Sequence, residues 1–454
     1  MRKPPVLCKK PEGVCDVSYW WTLGLRAFGL CTLLIAFTVW VWQQAESLRL
    51  PVLLAAGGSA ALFAAVGVQA VPGWVCAWRE RAVPSEPEKA PRGFLWRLFI
   101  LLLLFCVAIW GLVYLIRRWE GNTQSFVDSF SFWTSLDGRH YLDIARDGYI
   151  TQGDYDRMVQ LVFFPGYPMA VRLVSILLGG QLLLAGFLVS ALSFAGAGCL
   201  LYRLVRLDAP HREAVRAVSF LCLLPGSFFF AAPMSESFFL LLTVGSYYAA
   251  RTGRWLLAGL LGGMAALTRS VGLLLLIPLF FEWMALPRRR GRALALLLLI
   301  PAGFLGYLLL NFFVTGDAFT FLTYQREHWY QEPGWFFATA GTQMQQLLSS
   351  ASVTDVLGLW LPNLLYGGAA LLVMALTARR QRASDTAWFL SYYAVAMGAT
   401  WLLSGPRYLL VLLPIHRGLA TLTGTKKRRA VIYGLCTVCG LFYLYAFCKQ
   451  WQVW

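Results

Sequence analysis

The sequence predicts an all-α polytopic membrane protein, with about thirteen transmembrane helices and two long loops on the outer face. Three observations predict it. Of the 454 residues, 58% are hydrophobic and 13% charged, against about 25% charged in a soluble domain. The apolar residues gather into runs, many long enough to cross a bilayer, which takes roughly 20 residues. Lysine and arginine recur in every second segment between those runs, the pattern of loops retained on the cytoplasmic side. The chain therefore holds one large membrane domain and no sizeable soluble core. A formal charge of +17 would suggest nucleic acid in a soluble protein. Here the basic loops account for it, and membrane lipids, not nucleic acid, are the expected surroundings.

The runs fall at 20–42, 50–78, 94–117, 181–202, 217–233, 236–250, 255–268, 271–284, 293–313, 352–377, 386–403, 408–424 and 430–448. Two of them, 255–268 and 271–284, are short and read as a hairpin of half-length helices, which is tolerable only where protein surrounds it. The first run is too long for the apolar core of a signal peptide and lacks a small-residue cleavage site. With the N-terminus inside, the inner segments carry Arg2, Lys3, Lys9 and Lys10, then Arg79, Arg81, Lys89, Arg92 and Arg97. Arg203, Arg206, Arg212 and Arg216 follow, then Arg251 and Arg254, then Arg288, Arg289, Arg290 and Arg292. Arg379, Arg380 and Arg382 precede the last cluster, Lys426 to Arg429. Acidic residues lean to the outside, and the C-terminus falls there too.

Three units follow. Residues 1–93 form a cytoplasmic tail, an accessory transmembrane hairpin and a linker rich in Pro and Glu at Pro84–Pro91. Residues 94–424 form the main membrane domain, and 425–454 contain the C-terminal helix. Two segments, 118–180 and 314–351, are long and fall outside; loops beyond about 15 residues are usually functional. Ten cysteines sit mostly in apolar runs, where cysteine acts as a small hydrophobe. Cys436 and Cys439 have CxxC spacing but no second pair beside them.

The first outer loop reads Leu136-Asp137-Gly138-Arg139-His140-Tyr141-Leu142-Asp143-Ile144-Ala145. An interfacial carboxylate beside aromatics suits a general base for an incoming hydroxyl. It equally suits a helix N-cap, so Asp137 is read both ways. His140 shares its face. Asp143 and Asp147 read as solvated helix charges. Phe163-Phe164-Pro165-Gly166-Tyr167-Pro168 downstream would lie at the headgroup level.

Glu236, in Ser235-Glu236-Ser237, stands alone at the outer end of a helix, where the dipole also favours an acid. Arg269 lies at the tip of the short hairpin with no acidic neighbour in sequence, and an ionisable residue at that depth is functional by default. Arg407, in Ser404-Gly405-Pro406-Arg407-Tyr408, either holds a lipid phosphate or snorkels to the interface. His416 and Arg417 fall near the middle of a run, so either they face a polar cavity or the run is displaced. Thr315-Gly316-Asp317 opens the second outer loop, with Tyr324, Gln325, His328 and Trp329 behind it; such side chains suit a sugar or an interfacial belt. Together Asp137, Glu236, Arg269 and Arg407 outline one outer-face cavity. It suits a reaction whose donor is a lipid-linked phosphate. There is no Walker loop and no dinucleotide glycine fingerprint.

The ordered set from Leu136–Ala145 through Phe163–Pro168, Ser235–Phe238, Leu267–Gly272, Thr315–Asp317 and Arg407-Tyr408 resembles the PIG-V family, the GPI mannosyltransferase 2 group. The resemblance covers roughly 94–424. It departs from the family pattern at Leu136, where a tryptophan usually stands, and at Val271, where an asparagine is common. It implies a GT-C-like catalytic membrane domain that moves mannose, with inversion, from a polyprenyl- or dolichyl-phosphate sugar to an acceptor hydroxyl. The acceptor would be a glycan, a glycolipid or a protein, and a GPI acceptor is not implied. By the same resemblance Asp137 is the base, and Arg269 and Arg407 lie near the donor phosphate. His140, Tyr141, Glu236 and Asp317 are the further candidates for substrate contact. No cofactor is implied with certainty; a divalent metal ion is compatible, but the sequence shows no ligand cluster. The rival expectation is a secondary transporter, which calls for charges scattered at mid-membrane across two related halves.

Overall fold

A computed structural model describes residues 16–45, 48–79, 91–150, 159–286 and 291–453. Expectations resting on the basic and linker residues at 1–15, 80–90 and 287–290 lie outside the described residues.

Each apolar run meets a helix. In chain order these are α1 (Asp16–Gln43), α2 (Leu50–Arg79) and α3 (Phe94–Trp119). The first long loop contains α4 (Asp137–Asp147) and α5 (Gly166–Leu177). Then come α6 (Leu182–Arg206), α7 (His211–Leu223), α8 (Ser235–Arg251), α9 (Trp255–Ala266), α10 (Ser270–Met284) and α11 (Gly291–Thr315). The second long loop contains α12 (Thr320–Trp329) and α13 (Phe336–Ser349). The chain continues through α14 (Val353–Arg380), α15 (Ala383–Ala396), α16 (Gly405–Leu410), α17 (Leu413–Leu422) and α18 (Lys426–Cys448). Seven of the described helices are long and apolar enough to cross a membrane, and α5, α9 and α10 are shorter apolar helices. The molecule is an integral membrane protein built from helices, and among the described residues the only β pairing is the isolated bridge Pro333–Ala399.

Three runs end differently from their sequence reading. The run at 217–233 is helical only to Leu223, where Pro225 cannot continue the ladder, and a 3-10 turn at Ser227–Ala231 follows. The run at 386–403 stops at Ala396. The run at 408–424 is two helices, broken at Val411-Leu412 ahead of Pro414. The break leaves His416 and Arg417 in the second helix, where Arg417 faces a buried polar cluster, 2.9 Å from Asp208 and 2.8 Å from Asp385. His416 lies in the first turns of α17, and its Nε2 is 2.8 Å from the Leu410 carbonyl oxygen across the break.

Packing sets the site's position. The short α9 crosses α11 closely, because Gly259 and Gly263 let the backbone at Leu296 and Leu299 approach; a Cβ at either glycine would collide with a carbonyl oxygen. Small residues at a crossing are how membrane helices gain contact where no hydrophobic force separates them from lipid. The N-terminal hairpin is tied to the rest by Gln69, which donates to the Ala375 carbonyl at 2.7 Å, and by Trp74, which donates to Thr386 Oγ1 at 2.9 Å.

Candidate active site

The site is assembled where the first long loop meets the start of α8, the turn between α9 and α10, and α16. Asp137 is the first residue of α4. Leu136 before it adopts φ 61°, a region that costs a leucine about 1–3 kcal/mol. Gly138 after it lies against the Trp133 carbonyl oxygen, which a Cβ would approach to 2.8 Å. The chain thus enters α4 by a sharp turn. The Asp137 carboxylate makes no capping hydrogen bond and instead pairs with the guanidinium of Arg407.

That pair is the first link of a chain. Arg407 Nε lies 2.8 Å from Glu236 Oε1, and Arg269 Nη1 lies 2.7 Å from the same oxygen. Arg269 also donates to Ser235 Oγ at 3.2 Å, and Ser235 Oγ is 2.9 Å from the Tyr141 hydroxyl. Two carboxylates and two guanidiniums alternate, so the buried charges balance. Glu236 is fully buried, the Arg407 and Arg269 side chains are 4% and 14% exposed, and Asp137 is 24% exposed. Asp137 is thus the member open to a substrate. Aromatic faces flank the cations: Arg269 lies 5.4 Å from the Tyr408 ring and Arg407 5.6 Å from that of Phe229.

The elements bearing these side chains are fixed locally. Gly166 N donates to the Leu267 carbonyl at 2.9 Å, docking the Phe-Phe-Pro-Gly turn on the Arg269 turn. The Tyr167 hydroxyl donates to the Gly186 carbonyl at 3.0 Å and lies 2.9 Å from Ser190 Oγ. Asn363 holds the approach to Arg407: its Oδ1 accepts from Gly405 N at 3.0 Å, and its Nδ2 donates to the Leu402 carbonyl at 3.0 Å. Gln343 donates to that carbonyl too, at 3.0 Å.

A cleft of about 510 Å³ opens beside α4. His140 lines it and stacks on Phe163 at 4.8 Å between ring centres. Tyr141 points the other way, into the core. Asp317 is exposed and its Oδ1 accepts from Phe319 N at 3.0 Å, within its own turn. Among the described residues it does not touch the ion-pair chain. Asp143 is not simply solvated: it pairs with Arg146 at 3.1 Å and Arg139 at 3.7 Å.

The family model of the mannosyltransferase PIG-V matches residues 120–349, half of the chain. The chain belongs to the PIG-V mannosyltransferase family. The GPI alpha-1,6-mannosyltransferase 2 of Rattus norvegicus is 31% identical over 171 residues, covering 33% of this chain and 31% of that protein. The Mus musculus protein of the same name is 30% identical over 171 residues with the same coverage. The chain therefore matches about a third of the length of these curated relatives. Among solved structures, ArnT from Cupriavidus metallidurans, bound to undecaprenyl phosphate, aligns with a TM-score of 0.47 and 17% identity, covering 75% of this chain and 64% of that one.

The PIG-V match contains Asp137, His140, Tyr141, Glu236, Arg269 and Asp317 and ends before Arg407, which the fold nevertheless brings against Asp137. It gives the transporter alternative no support. Asn363 and Gln343 escaped the sequence reading, although Asn363 is an amide inside an apolar run, which is itself a signal. So did a second charge cluster at the far end of α6 and α8. There Asp208 pairs with Arg251 at 2.7 Å and Arg417 at 2.9 Å, Glu282 with Arg382 at 3.0 Å, and Asp385 with Arg417 at 2.8 Å.

Proposed function

We propose that this PIG-V family member is an inverting glycosyltransferase of GT-C type that moves mannose from a polyprenyl- or dolichyl-phosphate donor to an acceptor hydroxyl. The ion-pair chain Asp137–Arg407–Glu236–Arg269, with Asp137 its most exposed member, carries the reading. In the resting arrangement Asp137 neutralises Arg407. A donor phosphate arriving at Arg407 and Arg269 competes for those guanidiniums and frees the Asp137 carboxylate to accept a proton. Asp137 then takes the acceptor hydroxyl's proton while its oxygen forms a bond to the anomeric carbon. The bond from that carbon to the phosphate oxygen breaks, and the lipid phosphate leaves with the electron pair. Glu236 lies against both guanidiniums but carries a single charge, so once Asp137 holds the proton, net positive charge meets the leaving phosphate in a site largely shielded from water.

The basic clusters on the segments between helices favour a cytoplasmic N-terminus and a site on the extracytoplasmic or lumenal side. Among the described residues no group of three or more His, Cys, Asp or Glu converges as a metal-ligand set. Asp137 and Glu236 each face guanidinium, so no step is routed through a metal ion.

The test is transfer in lipid vesicles from radiolabelled polyprenyl-phosphate mannose to a lipid and glycan extract, with wild type and Asp137→Asn side by side. Label moved by wild type alone supports the scheme. Equal transfer by both removes Asp137 from it. No transfer by wild type from any lipid-phosphate sugar sinks the reading.

A further inference from the structure

Residues 398–402, between α15 and α16, have no helix of their own, yet they lead directly to Gly405 and Arg407. Their backbone is bonded from outside. Gly334 N donates to the Gly398 carbonyl at 2.7 Å, and Thr400 N donates to the Glu332 carbonyl at 3.0 Å. From α13, Thr339 Oγ1 donates to the Ala399 carbonyl at 3.0 Å, and Gln343 Nε2 donates to the Leu402 carbonyl at 3.0 Å. Irregular backbone inside a protein needs such partners, since no regular ladder supplies them. The position of 398–402 is therefore set by where α13 and the turn before it lie.

The N-terminal hairpin holds α13 in turn. With 14 residues, α13 is too short to anchor itself by crossing a bilayer, which takes roughly 20. Phe63 of α2 stacks on Phe336 at 4.3 Å between ring centres and 29° between ring planes. Phe37 and Trp40 of α1 meet Phe337 edge-on at 5.4 Å and 5.9 Å. Gly341 lets the hairpin close in further: a Cβ there would come within 3.2 Å of Val52 Cγ1 and 3.3 Å of Trp40 Cη2. Thr339 and Gln343 stand on a neighbouring face of the same helix, four residues apart. α13 is thus gripped between the hairpin and 398–402. The PIG-V match, 120–349, contains α13 and neither of these two partners.

We propose that the α1–α2 hairpin is a positioning element of the active site: Phe63, Trp40 and Val52 seat α13, Thr339 and Gln343 of α13 seat 398–402, and that segment sets the Arg407 guanidinium against Asp137. These residues act through Arg407 and not on the reacting atoms. The other end of α2 supplies an internal control. Trp74 donates to Thr386 Oγ1 at 2.9 Å and to the Ala383 carbonyl at 3.2 Å, both in the first turn of α15. It ties the hairpin to the fold by a route that does not pass through α13. The inference rests on the transferase reading for its kinetic part, and the seating of 398–402 can be measured without transfer.

The experiment is hydrogen–deuterium exchange of the full-length protein in lipid nanodiscs, read at the amides of 398–405, with transfer kinetics and thermal unfolding on the same samples. Wild type, Phe63→Ala, Phe63→Leu, Gly341→Ala and Trp74→Phe are compared. Phe63→Ala opens space against Phe336, whereas Gly341→Ala wedges α13 away from Val52 and Trp40, so one variant remains if the other fails to fold. Both are expected to speed exchange at 398–405 severalfold. Both should also lower kcat by about 10–10²-fold and raise the donor KM, as a misplacement near 1 Å does. Phe63→Leu keeps the apolar fill and is expected to stay near wild type. Trp74→Phe loses its two hydrogen bonds and is expected to melt earlier, with exchange at 398–405 and kcat unchanged. Faster exchange at 398–405 in the two variants of a protein whose wild type transfers nothing would fell the transferase reading and leave the seating standing. Exchange at 398–405 equal to wild type in Phe63→Ala and Gly341→Ala, or raised as much by Trp74→Phe, would overturn the inference. So would a wild-type kcat in a variant whose exchange at 398–405 has risen.

Discussion

Asp137 and Arg407 lie 270 positions apart in the chain and pair side chain to side chain. The pairing makes the proposed base a tethered one. Its carboxylate is presented by the turn at Leu136 and held by a guanidinium that is itself anchored to Glu236. Catalytic and structural functions therefore separate along the chain of charges, and substitutions at its two ends should fail differently.

Asp137→Asn keeps the side chain's size and removes the proton acceptor. Transfer should fall by about 10²–10⁴, the usual worth of general-base catalysis. Binding of the donor lipid should hold or tighten, because Arg407 loses a competing carboxylate. Initial rates together with a lipid-phosphate binding assay check both parts. Weakened donor binding would count against the competition step.

Glu236→Gln should behave as a stability variant first. It leaves Arg407 and Arg269 buried against a neutral amide, and breaking a buried pair typically costs about 3–5 kcal/mol. Its thermal unfolding should fall well below that of Asp137→Asn, whose carboxylate is 24% exposed where Glu236 has no exposure. Similar melting of the two variants would mean that Glu236 is not the anchor.

The far charge cluster should set the acid limit of the fold. Burial alone would raise the Asp208 carboxyl, but the guanidiniums of Arg251, Arg417 and Arg382 outweigh it and hold the group well below the usual carboxylate range. A depressed folded value means that the stabilisation is fully present above the unfolded value, about 3.9. It is lost as pH falls below that value toward the folded one. Wild type should therefore keep this contribution down to about pH 4 and unfold below it. Asp208→Asn should be less stable at neutral pH and show a flatter acid limb. Unfolding in nanodiscs from pH 3 to pH 8 measures the difference.

What the sequence exposes here is what is local. Apolar runs located the helices because membrane-spanning length and hydropathy need no tertiary information, and the site candidates were visible as charges stranded at the ends of such runs. Their pairing was not. Glu236 reads as alone and Arg269 as lacking an acidic neighbour, yet the fold places Arg269 Nη1 2.7 Å from Glu236 Oε1. The partners of Asp208 come from residues 251, 382 and 417, and no window in the sequence spans those separations. Helix ends near Pro225 and Pro414 were overrun because hydropathy continues through a proline while the hydrogen-bond ladder does not.

The last prediction concerns how Arg407 is aimed. Asn363 sits buried in α14 and bonds the backbone on both sides of the turn into α16, through Gly405 N and the Leu402 carbonyl. A Cβ at Gly405 would come within 2.8 Å of the Asn363 oxygen, so Gly405→Ala should push the amide away and tilt the first turn of α16. Asn363→Leu removes the same bonds and leaves the buried Gly405 amide unpaired, at about 1–3 kcal/mol, while Gln343 still bonds the Leu402 carbonyl. Both changes should misplace the Arg407 guanidinium relative to Asp137 while every charge remains. The signature is a raised donor KM with a reduced kcat. If Asn363→Leu lost stability but kept both kinetic constants, Arg407 would be held by Glu236 and Asp137 alone, and the turn would serve folding rather than aim.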